Sequence, residues 1–96
     1  MPRYVIEREL PGAGNLPEKD LIALSQRSCR ILGNLSPQIQ WVESFVTQNK
    51  LYCIYHAASK ALVMQHASMV EIPANRIEEV ITIISPVTAE RPTVKA

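Results

Sequence analysis

The sequence predicts an α+β domain, a four-stranded antiparallel sheet with two helices on one of its faces. Three observations carry that prediction. Strand-type and helix-type segments follow the order strand, helix, strand, strand, helix, strand; glycine and proline clusters separate them; and 96 residues leave room for a single core. With 47% hydrophobic and 20% charged residues, the chain can pack that core, and wholesale disorder is excluded.

The first strand is "RYVIEREL" (3–10), rich in β-formers with a short apolar run at 4–6. "PGAGN" breaks the chain after it. Asn15 with Glu18 three residues on reads as a capping box, and Pro17 suits a first helical turn. Leu21, Leu24, Ser28, Ile31, Leu32 and Leu35 then recur at helical spacing. Gly33-Asn34 offers a left-handed stop, so the first helix is expected over 16–32. Residues 38–47 and 50–57 form a hairpin of two strands. Ser59 caps a second helix over about 60–71, with Leu62, His66, Met69 and Val70 as its inner stripe. Ile72-Pro73 ends it, because the residue before a proline avoids helical angles. "RIEEVITII" (76–84) is the fourth strand, and "SPVTAERPTVKA" has no periodicity. The domain is placed at 1–86 and a tail at 87–96.

Right-handed crossovers turn this order into a ferredoxin-like βαββαβ sandwich. Helices cover one face only, yet the hairpin carries bulky apolar groups on both alternations, Trp41 and Phe45 opposite Val42 and Val46. The second face needs a cover, and another copy of the same sheet supplies it. A homodimer with sheets face to face, a dimeric α+β barrel, is the expectation.

Several function classes drop out. Net charge is +1, with Lys and Arg scattered, so no basic stripe marks nucleic-acid binding. No apolar segment reaches the ~18 residues of a membrane span, and "MPRYVIEREL" lacks a signal-peptide layout, so a cytoplasmic protein with no membrane partner is expected. Cys29 and Cys53 form neither a CxxC nor a zinc spacing. GxSxG, HExxH, P-loop and GxGxxG motifs are missing.

The chemically distinctive groups gather in "IQWVESFVTQNKLYCIYHA" (39–57). A two-residue turn at Gln48-Asn49 would put Trp41, Glu43 and Phe45 beside Tyr52, Ile54 and His56. A three-residue loop with a bulge would put them beside Leu51, Cys53 and Tyr55 instead. Either way Glu43 falls between Trp41 and Phe45 on the dimer side, where an ionised carboxylate needs a metal, an arginine or water. Glu7, in a central strand, and His66, on the inner stripe, complete an oxygen and nitrogen set. Glu7, Glu43 and His66 are therefore the candidate ligands of nickel or another divalent transition metal. Trp41, Phe45, Cys53 and Tyr55 are the candidate contacts of a small ligand. Plainer assignments exist: a solvated edge carboxylate for Glu43, a core histidine bonded to a backbone carbonyl for His66, and an inert thiol for Cys53.

The blocks "MPRYVIERELPGAG", "IQWVESFVT", "YCIYHA", "QHA" and "PANRIEEV", in that order and closing on "SPVTAE", resemble the small bacterial domain-of-unknown-function family 4242. That family is described as nickel-responsive or nickel-binding and ferredoxin-like, and the resemblance runs over residues 2–90. It implies dimeric ferredoxin-like protomers and a relation to nickel. It also places Glu7 in an "IER" block, Trp41, Ser44 and Phe45 in a "W..SY" block, Cys53 and Tyr55 in "YC.Y", and His66 in "EHA". This chain departs from the pattern with Phe45 for tyrosine, Gln65 for glutamate and "MVEIP" for "GFP"; the first two changes remove two oxygen donors.

The expectation is thus a homodimeric binding protein holding a metal or small ligand at the sheet and dimer cavity, more a binder than an enzyme. One alternative is a cofactor-free monooxygenase or isomerase, with His66 as acid/base beside Tyr55 and the aromatics stacking on substrate. The other is a structural dimer whose aromatic face joins two subunits.

Overall fold

A computed structural model describes residues 1–35 and 37–92. The alternation of the first segment becomes β1 (Arg3–Glu9), which buries Tyr4, Ile6 and Arg8 and turns the residues between them to the other face. A 3-10 turn (Ala13–Asn15) leads to α1 (Glu18–Gly33). The hairpin is β2 (Ile39–Val46) and β3 (Lys50–Ala57), followed by α2 (Lys60–Met69) and β4 (Arg76–Val80). All neighbours are antiparallel in the order β2-β3-β1-β4, with β1 central as the pattern required. Both helices lie on the face of Tyr4, Ile6 and Arg8, where Ile39, Leu51, Cys53, Tyr55, Val63 and Ala67 complete the core. The sandwich is ferredoxin-like, as the order of elements predicts.

Local expectations needed correction where tertiary contacts override propensity. No capping box forms at Asn15. That residue belongs to the 3-10 turn, and α1 starts behind an extended Pro17 with no side-chain cap. The turn is held by the hairpin instead: the carbonyls of Gln48 and Asn49 accept from the N–H groups of Gly14 (3.0 Å) and Leu10 (2.9 Å). A Cβ at Gly14 would stand 2.9 Å from the Gln48 Cα, so only glycine permits this approach. Gly33 stays helical and Asn34 right-handed; among the described residues the left-handed non-glycine is Glu71 (φ 65), just beyond α2. The buried stripe of α2 is Val63, His66 and Ala67, continued by Val70 just past its end; Val63 takes the place expected of Leu62, and Met69 is exposed. β4 stops at Val80 because its partner there is Arg3, the first residue of β1, and residues 81–85 have no strand to pair with. Within the segment read as a tail, Pro86–Glu90 forms a 3-10 helix; residues 93–96 lie outside the described residues.

The hairpin adopts the two-residue turn, with Val46 opposite Leu51 and Phe45 opposite Tyr52. A bulge at Val42 then interrupts β2: Trp41 pairs with Tyr55, but Glu43 pairs with Ile54. One extra residue shifts the alternation by one. Ile39, Trp41, Ser44 and Val46 therefore share the helix side, while Glu43 and Phe45 turn to the open side.

Candidate functional site

Between α1 and the β2 side of the sheet lies a cavity of about 360 Å³. The walls are Leu21, Leu24, Ser25 and Ser28 from α1, Trp41, Val42, Glu43, Ser44 and Val46 from β2, Leu51, Cys53 and Tyr55 from β3, and Val70 and Ile72 beyond α2. Arg8 enters from β1. It is 1% exposed, its Nη1 donates to the Ile72 carbonyl at 2.6 Å, and its Nη2 is buried without a partner among the described residues. Trp41 Nε1 donates to Ser44 Oγ at 2.9 Å, a bond that spans the bulge and holds both side chains on the cavity side.

Behind the cavity, the Tyr55 hydroxyl and His66 Nε2 are 3.0 Å apart, with the rings edge to face, and His66 Nδ1 is buried without a partner among the described residues. Burial pushes the Tyr55 hydroxyl up to about 12, helped by Cys53 and opposed by Arg8. Burial, and then the positive charge of Arg8, push His66 down to about 4. At neutral pH the pair is a neutral phenol on a neutral imidazole.

The opposite face of the sheet carries Val5, Glu7, Glu43, Phe45, Tyr52, Ile54 and His56 with no helix over them. Glu7 accepts from Lys50 Nζ at 3.0 Å and from the Tyr52 hydroxyl at 3.4 Å, and the Lys50 bond holds its carboxyl below the usual range. His56 Nε2 lies 3.3 Å from Arg3 Nη2.

The candidate residues thus separate. Trp41, Cys53 and Tyr55 do meet, in the cavity on the helix side, whereas Phe45 stands on the far face, 54% exposed. Glu7, Glu43 and His66 do not meet within the chain, because Glu7, opposite Tyr52, and Glu43, opposite Ile54, lie on the open face and His66 is sealed under α2. Among the described residues no group of three or more His, Cys, Asp or Glu could hold a metal ion. His66, whose Nε2 is engaged with Tyr55 and which sits in the field of Arg8, is a poor donor to a divalent cation. The described residues of the chain therefore do not fit a nickel centre. Arg8 itself was legible but passed over: it continues the Tyr4, Ile6 alternation onto the core face, where an arginine is out of place.

The fold and cavity define a class: a small ferredoxin-like α+β protein with a buried cationic pocket between helix and sheet. Residues 4–80 match the family described as "Nickel responsive protein SCO4226-like", and the chain belongs to that family. The crystal structure of SCO4226 from Streptomyces coelicolor A3(2) is similar to this fold, with a TM-score of 0.71 at 13% identity, covering 85% of this chain and 99% of that one. No curated protein matches the chain in sequence. No helix among the described residues is long and apolar enough to cross a membrane.

Proposed function

We propose that this protein is a small homodimeric binding protein, with the cavity under α1 as its ligand site and the open sheet face as its subunit interface. The observation that carries the reading is a fully buried arginine with an unused N–H pair on the wall of an otherwise mainly apolar cavity, the composition of a ligand site rather than of a core. Binding is favoured over catalysis by the Tyr55–His66 pair. With a phenol near 12 and an imidazole near 4, neither group exchanges protons readily at neutral pH.

The interface is supported by the apolar residues of the open face, Val5, Phe45 and Ile54, interspersed with charges of both signs in Glu7, Lys50, Arg76 and Glu78. Such a face can complement a two-fold copy of itself. The family's description concerns nickel. Direct binding by this chain would draw on Glu7, Glu43 and His56 of the open face, completed from two copies.

Native mass spectrometry with and without nickel tests the assembly. A dimer in the wild type and a monomer in Phe45→Lys support the interface, and metal retained only by the dimer supports the shared site. A wild-type monomer removes both. The ligand site is tested through Trp41, the chain's single tryptophan, whose emission should respond to compounds entering the cavity.

A further inference from the structure

We propose that the cavity takes a carboxylate monoanion with an apolar body, its carboxylate paired with Arg8 Nη2 and the Tyr55 hydroxyl; the assignment rests on the cavity being the ligand site. The charge comes first. The ion pairs among the described residues are Arg27–Glu71, Lys50–Glu7 and Arg76–Glu78, and none includes Arg8. Glu43, the one carboxylate on the cavity wall, is exposed at the bulge and pairs with Ile54 toward the open face. A guanidinium withdrawn from water is stable only with an opposite charge or a full set of acceptors. Here the protein supplies one carbonyl, Ile72, with the neutral Tyr55 hydroxyl close by, and no opposite charge among the described residues pairs with Arg8.

The number of charges selects the anion. Arg8 is the single cation on the wall, beside the neutral hydroxyls of Ser25, Ser28, Ser44 and Tyr55. Ser25 Oγ already donates to the Leu21 carbonyl, whereas Ser44 Oγ accepts from Trp41 and keeps its own O–H as a further neutral donor. One guanidinium edge and one phenol match the two oxygens of a carboxylate, whereas a phosphate dianion calls for a second cation or a nest of backbone N–H groups. Tyr55 serves when His66 carries its proton on Nε2: the imidazole then donates to the phenol oxygen and leaves the phenol O–H free to donate into the cavity.

The remaining wall describes the body of the ligand. Leu21, Leu24, Trp41, Leu51, Val70 and Ile72 surround the polar end with hydrocarbon, and the volume lies at the small end of ligand sites. A medium-chain or small aromatic carboxylic acid fits that description.

Titrating Trp41 emission with octanoate, 1-octanol and sodium sulfate tests the proposal. Octanoate should shift the emission saturably and bind at least about tenfold more tightly than 1-octanol. Sulfate should neither shift it nor displace octanoate. Arg8→Met should abolish the preference for octanoate while retaining the response to 1-octanol, and Tyr55→Phe should weaken octanoate by several-fold. Equal affinity for the acid and the alcohol would overturn the anion assignment and leave the cavity as a neutral apolar site. Displacement by sulfate would assign an inorganic-anion site instead. If neither octanoate nor 1-octanol moves the emission, the cavity reading itself fails and the inference goes with it. Should Arg8→Met not fold, the comparison of the three probes on the wild type decides alone.

Discussion

His66 should make the protein acid-labile in a way that one substitution removes. Its side chain is fully buried against Tyr55, and burial together with Arg8 lowers it from 6.5 to about 4. The native state therefore holds His66 neutral, while the unfolded chain takes up a proton as pH falls through 6.5. Because the folded value is depressed, the contribution is complete above the unfolded value and is lost as pH falls from 6.5 toward 4. Between pH 7 and 4.5 the difference in proton uptake corresponds to a loss on the order of 2–3 kcal/mol. Glu7, whose carboxyl is also held low by Lys50, loses its contribution over more acidic pH, and does so in wild type and variant alike. His66→Gln keeps an amide near Tyr55 and removes the titration. Urea unfolding of both proteins at pH 7 and 4.5 should show the wild type losing this amount more than the variant. Parallel losses would refute the reasoning, as would an NMR titration placing His66 above pH 6.

Arg8→Met should stabilise the ligand-free protein by roughly 1–3 kcal/mol, since it removes a buried unpaired cation at the cost of one hydrogen bond to Ile72; a lower urea midpoint would contradict this. Glu71→Gly should raise stability by about 0.5–1 kcal/mol, because Glu71 is left-handed and its ion pair with Arg27 (2.8 Å) is solvent-exposed; thermal unfolding measures it. Gly14→Ala should destabilise by roughly 1–3 kcal/mol through its clash with the Gln48 backbone, and an unchanged denaturation midpoint would show that the loop gives way freely.

Periodicity alone made most of the fold legible. Tyr4, Ile6, Cys53 and Tyr55 alternate inward, and Ser28 and Leu24 repeat at helical spacing toward the sheet, as the pattern requires. His66 was legible as an inward histidine, although its partner is the Tyr55 hydroxyl rather than a backbone carbonyl. The grouping of Glu7, Glu43 and His66 had no such basis. It needed all three on one side of the sheet, whereas His66 points from α2 into the core and Glu7 and Glu43 lie on the open face; the bulge in β2, invisible to period-two reasoning, misplaced Trp41 rather than Glu43.

Local chemistry and spacing were enough to determine the order of elements, the central position of β1 and the existence of an uncovered sheet face. They depend on short-range preferences and on the burial of one apolar side per element, both written in neighbouring residues. Tertiary structure decided the rest. The bulge at Val42 forms where an edge strand yields to packing on one side only, and it moved Trp41 and Phe45 to opposite faces. The packing of α1 on the sheet left the cavity, and the chain leaving α2 brought the Ile72 carbonyl to Arg8 across 64 residues of sequence. Whether a buried charge is satisfied depends on groups distant in the chain, so the unpaired edge of Arg8 becomes visible only once every neighbour is in place.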